Sequence, residues 1–302
     1  MTGFTVIGGY LGAGKTTLLN NLLAADHGIR IGLLVNDFGE INIDAGLIES
    51  ETDSQINLTN GCICCSLTDG FVEAIDTLLA KRPRPEHIIV EASGVADVAN
   101  LAQYGYSPEL QLDGVLVLAD AESVVKKADD KYVASTVRRQ LQAADIIILN
   151  KTDLLTDVQL QDRRDWLART FPNPTIIETT YGNVPISLLM DVHGGNKLPT
   201  SEYSDHEHYS SWSFQSEAAV TAEGLRKFAD ALPAVVIRAK GIARLTDGSH
   251  QVLQVVGQRK SLDAIESDQA ITQIVTIGLS RQFDADYLQG LAESHLGSSV
   301  VN

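Results

Sequence analysis

The sequence predicts an α/β protein in which a large domain on a mostly parallel sheet precedes a small α+β domain. Three observations carry this. Short, almost continuously apolar runs alternate with segments of helical spacing through the first two thirds of the 302 residues, the pattern of strands buried on both faces of a parallel sheet. A polar stretch rich in Gly and Ser, "HGGNKLPTSEYSDHEHYSS" (193–211), then breaks the alternation and reads as a linker. Beyond it come one strand, one helix, three strands and a last helix. The expected division is a large α/β domain over 1–192, a linker over 193–210 and a small α+β domain over 211–302.

The elements follow in order. "FTVIGG" (4–9) is a short apolar strand, and "KTTLLNNLLAA" (15–25) has helical spacing. "RIGLLVN" (30–36), "HIIVEAS" (87–93), "DGVLVLAD" (113–120), "DIIILN" (145–150) and "TIIETT" (175–180) read as buried strands, separated by helix-like segments such as "VQLQDRRDWLART" (158–170). After the linker, "SWSF" is a strand and "AEGLRKFADAL" a helix whose apolar face is Leu225, Phe228, Ala229 and Leu232. "AVVIRAKGIARL", "QVLQVVGQRKSL" and "AITQIVTIGL" read as three strands. The closing helix "DADYLQGLAES" presents Tyr287, Leu288 and Leu291.

Composition narrows the function. Hydrophobic residues make up 44% and charged residues 21%, enough to build a core. The net charge of −16, from 39 acidic against 23 basic residues, repels nucleic acid and anionic membranes on average. No apolar run approaches the roughly 18 residues of a membrane span, and the first residues carry no export signal. The three cysteines, Cys62, Cys64 and Cys65, fall within four consecutive positions. They are too close for a disulfide framework and point to metal or redox use in a reducing compartment, the cytoplasm.

"GYLGAGKT", Gly9 to Thr16, fits G-x-x-x-x-G-K-[ST] between a strand and a helix, the context a P-loop requires. Gly9, Gly12 and Gly14 let the backbone wrap a phosphate, with the N–H groups of Ala13, Gly14 and Thr17 near it at the helix start. Lys15 would reach the β- and γ-phosphates and Thr16 would ligate Mg²⁺. "NKTD", Asn150 to Asp153, stands at the carboxyl end of a strand, where ligands bind in such sheets. The Asp153 carboxylate can accept from guanine N1–H and its 2-amino group, whereas adenine offers no N1–H. Lys151 would lay its stem along the base and Asn150 would tie this loop to the P-loop. The competing reading has Asp153 merely capping the next helix. "EASG" (91–94) supplies Glu91 for the second Mg²⁺ contact, through water, and the Gly94 N–H for the γ-phosphate. "NDFGE" (36–40) occupies the usual place of a first switch, with Asp37 positioning the attacking water and Glu40 moving with the switch.

"TNGCICC" (59–65) lies between these two nucleotide-sensing stretches. Three thiolates so close can fill three corners of a tetrahedral site, leaving the fourth to Glu40, a histidine, water or a partner's ligand. Sulfur favours Zn²⁺ or Cu⁺ over harder ions. Three small buried hydrophobes, or a redox-active cluster, are the other readings.

Taken in order, "GYLGAGKTT", "NDFGE", "NGCICC", "EASG", "NKTD" and a small domain containing "RAKGIARL" resemble the CobW-type metallochaperone GTPases of the SIMIBI class. The resemblance covers nearly the whole chain. It implies slow GTP hydrolysis coupled to metal handling, Cys62, Cys64 and Cys65 as metal ligands, and delivery of zinc to a metal-requiring client protein. Cobalt or nickel delivery to a cofactor pathway, a P-loop small-molecule kinase with structural cysteines, and a non-catalytic GTP-gated docking protein are the rivals; "NKTD" argues against the kinase. The oligomeric state stays open, a homodimer included. Three positions depart from the family pattern. Val35 stands where many members carry glutamate, Val98 where proline is usual, and only "DHEH", with His206 and His208, stands where many have a histidine-rich linker.

Overall fold

Residues 1–25, 28–36, 55–58, 67–190 and 209–297 are described in a computed structural model of the chain. Two compact units emerge, Met1–Gly194 and Gly195–Asn302. The first is built on β1 (Thr2–Gly9), β2 (Ile31–Asn36), β3 (Gln55–Leu58), β4 (His87–Glu91), β5 (Leu110–Asp120), β6 (Ile146–Asn150) and β7 (Thr175–Glu178). All their pairings are parallel, in the order β3-β2-β4-β1-β5-β6-β7. Between the strands run α1 (Lys15–Ala24), α2 (Leu67–Ala80), α3 (Val98–Ala102), α4 (Val124–Ala128), α5 (Ala134–Ala143) and α6 (Asp157–Thr170), and α7 (Ile186–Leu189) follows the last strand.

Apolar runs here mean what the sequence implied: both faces of the sheet are buried. Phe4, Val6, Leu34, Ile88, Val90, Val117 and Ile147 pack with Phe71, Ile75 and Leu78 of α2 and Leu141 of α5. The alternate residues Ile7, Leu33, Ile89, Leu116, Leu118 and Ile148 are buried as well, as are Leu18, Leu19 and Leu22 of α1. Each such side chain contributes roughly 1.5–3 kcal/mol on burial. The edge strand β3 is the element the sequence did not disclose. It has only four residues, and two of them, Gln55 and Asn57, are polar.

Strand order decides where a ligand can sit. From β1 the chain fills one side of the sheet with β2, β3 and β4, then crosses to the other with β5, β6 and β7. The connections leaving the carboxyl ends of β1 and its neighbours therefore diverge, which opens a crevice there.

In the second unit, β8 (Tyr209–Ser216), β9 (Val236–Arg244), β10 (His250–Val256), β11 (Arg259–Ile265) and β12 (Thr272–Leu279) form an antiparallel sheet in the order β11-β10-β9-β12-β8. The helices α8 (Ala222–Ala231) and α9 (Ala285–Leu296) share one core with Trp212, Phe214, Leu253, Val255 and Ile274. "QVLQVVGQRKSL" is not the single strand expected. It folds as a hairpin, Val256 opposite Arg259, around a two-residue turn whose first residue, Gly257, has φ 58. Glycine supplies that left-handed conformation at the first turn position; the pair Gly257-Gln258 is not one of the usual hairpin dipeptides, which concealed the turn. The face of α9 also differs from expectation. Leu288, Ala292 and Leu296 are buried and Leu291 partly so, while Tyr287 is 52% exposed.

No helix among the described residues is long and apolar enough to cross a membrane.

The two helices of the second unit provide a paired test. Phe228 is fully buried, so Phe228→Ala should destabilise this unit by about 3–5 kcal/mol. Tyr287→Ala should stay within about 0.5 kcal/mol. Native-state hydrogen exchange in α8 and α9 reads both, and equal losses would return Tyr287 to the core.

Candidate nucleotide site

The P-loop is shaped by close approach. Gly9 ends β1 with φ 137, and a Cβ there would stand 2.6 Å from the Leu118 carbonyl oxygen. At Gly14, φ is 104 and a Cβ would meet Asn150 Nδ2 at 2.3 Å. Conformation and space both demand glycine at these two positions; Gly12, with φ 78, faces open space. The Ala13 amide donates to the Tyr10 carbonyl at 3.1 Å, closing the loop on itself before α1. No side chain caps α1 and no acidic residue stands in its first turn. The first turn of α1 is thus left without a side-chain cap, and the positive end of the helix dipole faces the loop, where an anion is favoured. Lys15 is 7% exposed and folds back over the loop, its Nζ donating to the Gly9 carbonyl at 3.0 Å.

On the neighbouring strand, β4 ends at the buried Glu91, in register with Ile7 of β1 and Val35 of β2. With valine at 35, this pair of strand positions carries one carboxylate. Thr16 in the first turn of α1 and Glu91 at the end of β4 offer a hydroxyl and a carboxylate, hard oxygen donors of the kind Mg²⁺ takes. The chain then runs directly against the P-loop: a Cβ on Gly94 would lie 2.7 Å from Leu11 Cδ2 and 2.9 Å from the Leu11 nitrogen. Gln140 of α5 holds this stretch, its Nε2 donating to the carbonyls of Gly94 at 3.3 Å and Ala96 at 2.9 Å. Asp97 caps α3 by accepting from the amides of Ala99 and Asn100. Val98 is therefore the first residue of that helix, where the N–H that proline lacks has no intrahelical role; valine instead covers Gly8.

Asn150 joins the third segment to the first. Its Nδ2 donates to the Ala13 carbonyl at 2.9 Å, and its Oδ1 accepts from the Gly182 amide at 3.0 Å. One buried side chain thus fastens β6 to both the P-loop and the turn after β7. Thr152 adds a second tie, its amide and hydroxyl both donating to the Thr179 carbonyl, at 3.3 and 3.2 Å. Lys151 takes the left-handed conformation, φ 62, and its Nζ donates to Asp120 Oδ2 at 2.9 Å. Asp120 ends β5 in register with Asn150, and its Oδ1 accepts from the amides of Glu122 and Ser123. Burial pushes the Asp120 carboxyl upward, but the hydrogen bond and charge of Lys151 and the two amides outweigh it, leaving its pKa below the ordinary carboxylate value.

Asp153 is exposed and makes no hydrogen bond or ion pair among the described residues. The alternative role as a helix cap does not hold. The residue capping α6 is Thr156, whose hydroxyl accepts from the Gln159 amide in a capping box.

The carboxyl ends of β1, β4 and β6 therefore assemble Gly9, Gly12, Ala13, Gly14, Lys15, Thr16, Thr17, Glu91, Gly94, Asn150, Lys151 and Asp153. Asp37, Glu40, Cys62, Cys64, Cys65, His206 and His208 lie outside the described residues. Among the described residues no three His, Cys, Asp or Glu side chains could hold a metal ion. The segment bearing the cysteines leaves β3 at Leu58, the residue paired with Asn36 at the carboxyl end of β2, and re-enters at α2.

Sequence reasoning missed Asp120, Gln140, Gly182 and Lys127. Lys127 of α4 braces the P-loop from outside, donating to the Leu11 carbonyl at 3.1 Å with its ammonium 5.4 Å from the Tyr10 ring centroid. Only Asp120 left a signal, an acid closing an otherwise apolar strand.

Comparison with known proteins accords with this geometry. The family described as CobW/HypB/UreG, nucleotide-binding domain, matches residues 3–178, and the Cobalamin synthesis protein cobW C-terminal domain matches residues 209–294. The zinc chaperone CobW of Sinorhizobium sp is 34% identical over 302 aligned residues, spanning 84% of this chain and 85% of its own length. The zinc chaperone YjiA of Escherichia coli is 34% identical over 199 residues, 63% of this chain and 61% of its own. The zinc-regulated GTPase metalloprotein activator 1 of Schizosaccharomyces pombe is 29% identical over 214 residues, 66% and 52% respectively. The chain belongs to the CobW/HypB/UreG nucleotide-binding family and carries the CobW C-terminal domain in addition.

Proposed function

We propose that this chain binds and hydrolyses GTP, and that the cycle governs the carriage of a transition metal, zinc foremost, to a metal-requiring client protein. The observation that supports the reading is the bond between Asn150 and Ala13, which ties the loop bearing the exposed Asp153 to a P-loop whose helix N-terminus has no side-chain cap. The P-loop amides and Lys15 neutralise phosphate charge. Asp153 accepts from guanine N1–H and the 2-amino group, and the Lys151 stem lies along the base. Thr16 and Glu91 are the groups that would hold Mg²⁺, which supplies charge neutralisation at the β- and γ-phosphates when bound.

Coupling to the metal follows from adjacency. Gly94 touches Leu11 of the P-loop, so a γ-phosphate that engages the Gly94 amide acts on the chain leaving β4. In sequence, Cys62, Cys64 and Cys65 stand between "NDFGE" and this segment, and the chain enters them from β3 at the same end of the sheet. Asp37 serves to orient the attacking water and Glu40 to complete the thiolate set in one nucleotide state. Zinc and a client are supported by the names of the relatives, two zinc chaperones and a zinc-regulated metalloprotein activator. The thiolates suit such a metal on chemical grounds.

Three outcomes test this. GTP should bind at least about 100-fold more tightly than ATP, because adenine leaves the Asp153 carboxylate facing an acceptor. Asp153→Asn should move the preference towards xanthine nucleotides; equal affinity of the wild type for ATP and GTP, by calorimetry, would sink the assignment. Lys15→Ala should abolish GTP hydrolysis with the circular dichroism unchanged, and hydrolysis at the wild-type rate would contradict the P-loop role. Replacing any one of Cys62, Cys64 or Cys65 by Ser should weaken zinc binding sharply, and replacing all three should cost little more, since one lost thiolate already disables the site. Titration against a chromophoric chelator should also give different zinc affinities with GDP and with a non-hydrolysable GTP analogue. Identical affinities would leave a metal site without a chaperone cycle.

A further inference from the structure

Lys151 and Tyr181 are the only non-glycine residues with left-handed backbone among the described residues, and the loops that hold them are both fastened to Asn150. Backbone held in that region persists where neighbours over-determine it, and it clusters at functional sites. At Lys151 the backbone is held by the bonds of Asn150 on one side and of the Thr152 and Leu154 amides on the other, and the side chain is held by Asp120. We infer that Asp120 is a positioning residue for the purine base, holding the Lys151 stem across the carboxyl ends of β5 and β6 before a nucleotide arrives.

The geometry supports this in three ways. First, Asp120 and Asn150 are register partners on adjacent parallel strands. An ion pair from residue 151 back to residue 120 must therefore cross the strand ends beside Asp153. Second, the Asp120 carboxylate is itself fixed. It is 9% exposed, and Oδ1 is occupied by the amides of Glu122 at 3.0 Å and Ser123 at 3.3 Å, which leaves Oδ2 for the ammonium at 2.9 Å. Third, Lys151 is only about one-third exposed, so its methylene stem is confined. A lysine on an exposed turn otherwise samples many rotamers, and ordering them on ligand binding is costly. With its head anchored, the stem is already laid out as an apolar surface for a planar base.

This inference rests on the nucleotide reading above and deepens it. If Asp120 acts through Lys151 on the base alone, its effect must vanish for a ligand that has phosphates and no base. A residue that merely stabilised the strand end would lower the affinity of both ligands together.

The test is calorimetric titration of the full-length protein with GDP and, separately, with inorganic pyrophosphate, both with Mg²⁺. Asp120→Asn keeps the shape and the acceptor for the two amides but removes the charge. It should weaken GDP about tenfold, as the loss of a charge-assisted hydrogen bond does, and leave pyrophosphate unchanged. Lys151→Met keeps an apolar stem without the ammonium and should lose a similar factor for GDP. The double variant should lose no more than either single one, since both remove the same interaction. GDP affinity of Asp120→Asn within twofold of wild type, equal weakening of GDP and pyrophosphate, or additive losses in the double variant would each overturn the inference. Should Asp120→Asn fail to fold, the comparison of Lys151→Met with wild type on the two ligands decides in its place: equal GDP affinity, or an equal loss for both ligands, overturns it. A wild type that binds pyrophosphate but not GDP would instead overturn the guanine reading from which Asp120 takes its role, and one that binds neither would remove both.

Discussion

The two hydrogen bonds of Asn150 hold three chain segments in one arrangement, and the rest of the site depends on that. The P-loop, the "NKTD" turn and the turn after β7 are far apart in sequence, and each is irregular backbone with polar groups to satisfy. A single buried amide serves all three: its NH₂ group answers the Ala13 carbonyl and its oxygen answers the Gly182 amide. The same contact explains Gly14, since any side chain there would displace Asn150. Losing either partner would leave buried donors or acceptors unmatched, which costs more than the bond itself contributes.

Around that hub, conformational strain and electrostatics support each other. Left-handed backbone at Lys151 costs roughly 1–2 kcal/mol for an L-residue, and the backbone bonds of Thr152 and Leu154 hold it while the side chain pairs with Asp120. Asp120 in turn stays ionised despite its burial because the lysine and two amides surround it. Its carboxylate pKa is depressed in the folded state, so it contributes stability above its unfolded pKa. That contribution is lost as pH falls from the unfolded value through the lowered folded one. Across the neutral range the device is intact.

The sheet was legible in the sequence because burial on both faces writes an unbroken apolar run for each central strand, as "DIIILN" and "HIIVE" do. The edge strand β3 was not, since a four-residue strand with alternating polar residues resembles a loop. The hairpin at Gly257 was concealed because Gly257-Gln258 is not a usual turn pair, and Tyr287 by its place in a helical pattern. Motif residues were readable for a different reason: Gly9, Lys15, Asn150 and Asp153 occupy fixed spacings that chemistry demands. Asp120 and Gln140 serve the same site without such spacing. Their roles arise from strand register and helix packing, which only the folded chain supplies.

A protein of net charge −16 must still hold a polyanion, and the distribution of its cations explains how that conflict is met. Long-range repulsion from the surface falls off within about 8–10 Å at ordinary ionic strength, so it slows the approach of a nucleotide more than it weakens the bound state. Within the site the charges are local. Lys15 is buried against its own loop, the uncapped end of α1 points its dipole outward, and Lys127 stands over Tyr10 at the loop's outer side. The charge of Lys151 is paired with Asp120, so the two groups together add no net charge to the site. The proposed reading follows that division, with the phosphates at Lys15 and the helix end and the base at the Lys151–Asp120 pair. Two kinds of lysine thus stand near the P-loop, one buried against its own loop and one paired with a carboxylate across the strand ends.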